Sequence, residues 1–209
     1  GSPAQFRGRK GQSYEGGVRV PMIAWWPDTI GPNRVVDDPV MSIDLLPTFL
    51  SLAGLKPPSD RITDGTNLSG LLDEALVTRP TLDERALFFF HDYDVEAIRQ
   101  GEWKLYASTS HYAWPIPLDK PASFFGKTAG VRDYHPSDSA EPIPTLGTYP
   151  NLYNLERDPG EAYNLTKKHP TQTAELEAAL AQWRDAFYAN PRGWQKPGDR
   201  SSTTEGDQR

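Results

Sequence analysis

An α/β fold with a small α+β subdomain behind it is what this 209-residue sequence predicts, on three observations. Met22-Ile23-Ala24-Trp25-Trp26 is a continuously apolar run closed off by Pro21 and Pro27, the pattern of a strand buried on both faces of a parallel layer. The composition shifts at Thr78-Arg79-Pro80. Beyond that point, short strand-like segments precede one long amphipathic stretch, the order expected of a small antiparallel sheet covered by a helix. The expected division is residues 1–78 as the C-terminal end of an α/β domain, 79–191 as the α+β subdomain, and 192–209 as a disordered tail too poor in apolar side chains to order itself.

Each element has its own reason. After the apolar strand, Asp28 to Pro39 is rich in Pro, Gly and Asn and reads as a loop. Ser42 is placed to cap a helix with Pro47 near its first turn and Leu46, Phe49, Leu50 and Ala53 at helical spacing, ended by Gly54; that stripe is expected to lie on the sheet. Lys56 to Thr66 reads as a surface loop and Leu68 to Leu76 as a short helix. Strands are expected at Ala86–Phe90, Glu96–Arg99 and Trp103–Ala107, the last two joined by a tight turn at Gln100-Gly101. His111 to Pro150 has prolines and aromatics without periodicity and reads as a long loop packed by its own side chains. Leu152 to Leu155 resumes as a strand, Asp158-Pro159-Gly160 turns it, and Pro170 opens a helix striped by Leu176, Leu180, Trp183 and Phe187, expected to pack on the hairpin sheet.

Composition sets outer bounds. With 37% hydrophobic and 24% charged residues, the chain matches a globular protein. A net charge of −6 without a basic run argues against nucleic acid as a partner. No apolar run approaches the roughly 20 residues that a bilayer helix needs, so no transmembrane segment is expected. The absence of cysteine removes disulfides, zinc thiolates and cysteine nucleophiles from these residues.

The chemistry-bearing stretch is Lys10-Gly11-Gln12-Ser13-Tyr14-Glu15-Gly16-Gly17-Val18-Arg19-Val20-Pro21, a lysine bracketed by glycines that runs straight into the apolar strand. Glycines permit close backbone approaches, and an ammonium held at a sheet rim can neutralise one charge of a bound sulfate or phosphate. The plainer reading is a solvated loop lysine. Glu15 and Arg19 have two readings as well, a base and an anion clamp or a mutual ion pair that supports the loop; the second is preferred.

The motifs taken together resemble the sulfatase family. They are Glu15-Gly16-Gly17-Val18-Arg19-Val20-Pro21, Ser42-Ile43-Asp44-Leu45-Leu46-Pro47-Thr48 with Ala53-Gly54, Asp64-Gly65, Trp103-Lys104-Leu105, and Leu152-Tyr153-Asn154-Leu155 with Asp158-Pro159-Gly160-Glu161, in the family's order. The resemblance implies the end of an alkaline phosphatase-like α/β/α sandwich followed by the smaller C-terminal subdomain. It implies that the parent cleaves sulfate esters, of small molecules or of sulfated sugars, through a formylglycine formed in a Cys/Ser-x-Pro-x-Arg motif and a calcium held by aspartates and an Asp-Asn pair. This sequence carries no such motif, so nucleophile and metal ligands are expected upstream, and the 209 residues alone are expected to be inactive. Only Lys10 matches a catalytic and substrate-binding position of the family, the lysine on the sulfate ester near the leaving-group oxygen. Family membership also implies an extracytoplasmic location: periplasmic, secreted or lysosomal. A phosphoesterase or phosphonate hydrolase of the same superfamily, and a non-catalytic binding module, are the alternatives.

Three further features carry competing readings. His91, Asp92 and Asp94 follow an apolar strand, but their spacing fits no common metal site and strand-end polar residues are ordinary. His111, His135, Tyr112, Trp114, Phe124, Phe125 and Tyr134 are stacking candidates at a cleft mouth, or packing for their own loop. Asn67-Leu68-Ser69 and Asn164-Leu165-Thr166 match the short glycosylation acceptor pattern.

Overall fold

In the computed structural model, residues 4–72, 82, 85–91, 94–109, 149–189 and 192–193 are described. They fall into two compact units that are not successive along the chain: Gly1–Pro39 with Thr81–Ala181, and Val40–Pro80 with Gln182–Arg209.

The first unit is built on a four-stranded antiparallel sheet in the order β1 (Ala86–His91), β2 (Asp94–Gln100), β3 (Trp103–Tyr106), β4 (Asn151–Asn154). Sequence neighbours pair throughout, as expected where each strand's apolar residues can be covered without a crossover. The register places Lys104 opposite Arg99 on one side and Tyr153 on the other, and Tyr106 opposite Ala97 and Asn151. Directly opposed residues share a face, so one face presents Phe89, Ala97, Arg99, Lys104, Tyr106 and Tyr153. Against it lies Tyr14 from the N-terminal loop, which forms a core cluster with Ala97, Tyr106, Tyr153 and Leu155. The Tyr14 and Tyr106 rings are 5.2 Å apart, and the Tyr106 and Tyr153 rings meet edge-on at 6.0 Å. The loop ends in one helical turn, α1 (Glu15–Val18).

The expected strand at Met22–Trp26 does not form. Residues 19–26 have no helical or strand assignment, and Val20, Met22, Ile23 and Trp25 are 81%, 57%, 92% and 84% exposed. A strand is defined by its ladder, and no strand among the described residues pairs with this run. The remaining strands lie at their expected positions, to within two residues at their ends, and the β2–β3 turn falls on Gly101-Glu102. The helix opened by Pro170 runs to Tyr188 (α4) and buries Thr173, Leu176 and Leu180. No helix among the described residues is long and apolar enough to cross a membrane.

In the second unit a 3₁₀ turn (Ser42–Asp44) leads into α2 (Leu45–Leu52), and α3 (Ser69–Leu72) packs beside it. Asp44 holds this arrangement in place of Ser42: its carboxylate accepts from the backbone N–H of Met41 at 2.7 Å and of Thr66 at 2.8 Å. Thr48 Oγ1 donates to Asp44 O and accepts from Leu68 N at 2.9 Å. Gly65 lies so close to the backbone that a Cβ would stand 2.1 Å from Ile43 O, so the Asp64-Gly65 pair tolerates no side chain at its second position. The stripe expected to lie on a sheet is exposed instead, Leu46 and Phe49 by 55% and 61%. The Trp183 and Phe187 rings of α4 stack 5.0 Å apart, and Arg192 pairs with Asp64 through both carboxylate oxygens.

Candidate functional site

Lys10 is exposed at the tip of a loop that is otherwise fastened at every turn. The turn beneath it is closed by Gln12 N donating to Arg9 O at 3.0 Å and by Arg9 N donating to the buried Gln12 side chain, also at 3.0 Å. Gly16 N donates to Arg7 O at 2.7 Å. A Cβ on Gly17 would sit 2.1 Å from Gln12 O and 2.6 Å from Arg9 O, so α1 presses its bare backbone directly on the turn that carries Lys10.

The base of the loop is pinned to the sheet by buried charge. Lys104 is fully buried, and its ammonium donates to Ser13 O and to Glu15 Oε1, both at 2.7 Å, with Glu161 Oε1 3.4 Å away. An ammonium has three protons, and here three oxygens face it. Its Nζ also lies 4.2 Å from the centre of the Phe89 ring. Glu15, 1% exposed, receives Arg19 at 2.5 Å and Arg99 at 3.2 Å on its other oxygen. Burial alone would push the Glu15 carboxyl up, but the charge and hydrogen bond of Lys104, with Arg19 and Arg99, outweigh it and hold the group below the usual carboxylate range. The preferred reading of Glu15 and Arg19, an ion pair supporting the loop, is the one the geometry shows.

Glu161 and Glu96 complete the anchor. Glu161, also fully buried, accepts from Glu15 N at 2.8 Å and from Tyr106 OH at 2.7 Å. Burial, reinforced by the Glu161 charge, pushes the Tyr106 hydroxyl well above its ordinary value and keeps it a donor. The Glu161 backbone takes a left-handed conformation, φ +50°, that costs a residue with a side chain roughly 1–2 kcal/mol. Its own N–H closes the Asp158 turn at 3.1 Å, and Asp158 Oδ2 accepts from Ala162 N and Tyr163 N at 2.8 Å each. On β2 the register skips Glu96, pairing Phe89 with Ala97 and Phe90 with Val95; this bulge turns the Glu96 carboxylate to the loop, where it accepts from Ser13 Oγ.

An open cleft of about 570 Å³ beside this anchor is lined by Arg19, Arg99, Asp37, Asp38, Glu102 and Glu156, among others. Its two guanidiniums are the pair already committed to Glu15, and carboxylates surround them, so the cleft is no ready anion hole.

Two family models match the chain along its length: one described as the C-terminal region of aryl-sulfatase over residues 82–200, and one described as the C-terminal part of N-sulphoglucosamine sulphohydrolase over residues 8–113. The chain belongs to the sulfatase family. Among individual sulfatases it is 34% identical over 185 residues to steryl-sulfatase of Mus musculus, covering 86% of this chain and 27% of that protein. It is 32% identical over 171 residues to N-acetylgalactosamine-6-sulfatase of Rattus norvegicus, covering 79% of this chain and 29% of that one. A solved structure, the PsFucS1 sulfatase from Pseudoalteromonas sp., shares the fold with a TM-score of 0.65 at 23% identity, over 90% of this chain and 34% of the other. The chain therefore spans less than a third of the curated sulfatases it matches. It corresponds to the C-terminal region of the sulfatase architecture, an antiparallel sheet with helices.

Sulfatase resemblance in the sequence rested on five motifs, and the structure gives each a latch: Glu15, Asp44, Gly65, Lys104, and Asn154 with Glu161. Lys104, Glu96 and Glu161 had been given no role of their own. One signal was available for Lys104: strand alternation sets it on the same face as Tyr106, whose ring belongs inside. The acceptor-pattern asparagines are structural too. Asn164 Nδ2 donates to Asn151 at 2.6 Å while its oxygen accepts from Leu152 N and Thr166 N, and Asn67 Nδ2 donates to Ser51 Oγ at 2.9 Å. His91 and Asp94 end up opposite each other at the β1–β2 turn, and Asp92 lies outside the described residues. The stacking candidates of the 111–135 segment also lie outside them.

Proposed function

We propose that the intact protein is a sulfuric ester hydrolase in which Lys10 binds the sulfate ester beside the leaving-group oxygen, stabilising charge without forming a bond. The observation that carries this reading is the loop itself, a single exposed ammonium on a turn that α1 and a buried ionic anchor immobilise, in a chain of the sulfatase family. The anchored turn fixes the backbone from which the flexible four-carbon stem of Lys10 reaches an anion. The nucleophile of this reading is a formylglycine and its metal is calcium, which neutralises sulfate charge when bound. In this reading both are supplied from outside these residues. The sequence lacks the modification motif, and among the described residues no three His, Cys, Asp or Glu side chains gather closely enough to hold a cation. The 209 residues alone are accordingly inactive in this proposal.

The substrate class is a sulfate ester of a small molecule or of a sulfated sugar; related proteins are named for a sterol and for N-acetylgalactosamine 6-sulfate. The compartment proposed is extracytoplasmic, the family's usual one. The test is turnover by the full-length protein of an aryl sulfate and a set of sulfated monosaccharides, against the matching phosphate esters. Sulfate release that falls by about 10²–10³-fold in Lys10→Ala is expected, the loss typical of removing one preorganised charge-stabilising donor. Hydrolysis of the phosphate esters alone would overturn the reading in favour of a phosphoesterase.

A further inference from the structure

Ser13 and Glu15 are tied to the subdomain sheet through buried polar links to Lys104 and Glu96. We propose that Lys104 and Glu161 are positioning residues of the sulfatase site, fixing the backbone from which the Lys10 ammonium reaches the ester by clamping the base of its loop. This rests on the assignment of Lys10 above.

The path is short and continuous. Lys104 Nζ holds both the backbone carbonyl of Ser13 and the carboxylate of Glu15, the two residues that flank Tyr14, the second of which starts α1. Glu161 holds the backbone N–H of Glu15 from the other side, so residue 15 is gripped through its main chain and its side chain at once. From there α1 transmits the position by contact: Gly17 lies against Arg9 O and Gln12 O, the two ends of the turn that carries Lys10. Nothing soft intervenes, since Gln12, Ser13, Tyr14 and Glu15 are all buried. The geometry of Glu161 fits the same role. Its left-handed backbone is unfavourable for a glutamate, and what that conformation secures is a carboxylate placed between Glu15 N and Tyr106 OH.

A positioning role predicts dependence on the residue positioned. In the full-length sulfatase, Lys104→Met and Glu161→Gln are made alone and combined with Lys10→Ala, and kcat and KM for one sulfate ester are measured on protein whose folded fraction has been verified by circular dichroism. With Lys10 present, each clamp substitution is expected to lower kcat by about 10–100-fold with a smaller change in KM, the penalty of misplacing a reacting group by roughly an ångström. With Lys10→Ala in place, the same substitutions are expected to change kcat less than about twofold, because the residue they act through is gone. Lys104→Arg, which keeps charge but cannot match three oxygens around one nitrogen, is expected to fall between. If Lys104→Met does not fold, the near-isosteric Glu161→Gln carries the same cycle. Equal losses in both backgrounds would overturn the positioning role while leaving Lys10 in place; an unsubstituted protein that releases no sulfate would overturn the assignment of function, and this inference with it.

Discussion

Residues 12–17 and residues 20–26 are separated by two positions and have opposite fates. In the first stretch Gln12, Ser13, Tyr14 and Glu15 are buried; in the second Val20, Met22, Ile23 and Trp25 stand in solvent. Hydropathy predicts the reverse. The difference teaches that burial follows the partners a fold brings within reach. Glu15 meets Lys104, Arg19 and Arg99, which together more than offset the desolvation of one carboxylate, whereas the backbone of Met22–Trp26 meets no strand edge among the described residues.

The comparison breaks most sharply at Lys104. Replacing it with methionine preserves most of the volume but leaves Glu15 and Glu161 facing each other in a dry interior, and removing one partner of a buried ionic cluster costs about 3–5 kcal/mol. Chemical denaturation is expected to show a lowered midpoint for Lys104→Met. A midpoint within about 0.5 kcal/mol of the unsubstituted protein, the range of ordinary surface substitutions, would mean the anchor is hydrated in solution.

A second, smaller effect appears with pH. The Glu15 carboxyl is held below its ordinary range in the folded protein, so its contribution is complete above the unfolded value, about 4.3, and is lost as pH falls through the folded value. Glu15→Gln is therefore expected to be less stable than the parent by about 1–3 kcal/mol at pH 7, with the gap closing on acidification below pH 4. Thermal melts of both proteins between pH 7 and pH 3 check this; a gap that widens toward acid would reverse the sign and place the stabilisation elsewhere.

Much of the sheet was legible because its signals are local. The apolar run Ala86–Phe90, the aromatic-rich stretch Trp103–Tyr106 and the turn chemistry at Gly101 need nothing beyond adjacent residues, and Pro170 with Leu176 and Leu180 marks α4 in the same way. What was not legible depends on distant pairings. Lys104 reads as a surface charge until Ser13, Glu15 and Glu161, 91, 89 and 57 positions away, are brought around it. Asp44 likewise binds Thr66 across 22 positions, which no capping rule anticipates at Ser42. The position of the proposed site follows from the family's motif order, while the fastening of the turn under Lys10 is seen only in Gly17 against Arg9 and Gln12. The failed strand at Met22–Trp26 marks a further limit: a doubly apolar run states that two layers should cover it and does not state where they come from.

That run supplies the smallest expected effect and the cleanest contrast with Lys104. Ile23 and Trp25 are 92% and 84% exposed, so replacing both with serine removes almost no packed contact in this chain. Stability is expected to stay within about 0.5 kcal/mol, while solubility rises as a contiguous apolar strip disappears. The same pair of substitutions in the full-length sulfatase is expected to destabilise, because a run apolar on both faces is suited to the interior of a sheet and serine there would leave cavities and hydroxyls to satisfy. Melting curves of the two proteins, each with and without the substitutions, make the comparison direct. A large loss in the 209-residue chain would show that Ile23 and Trp25 are covered in solution; no loss in either protein would show that the run is never a buried strand. The first outcome would end the opposition between a polar stretch that finds its partners and an apolar one that does not; the second would extend it to the longer protein, and the Lys104 anchor stands in either case.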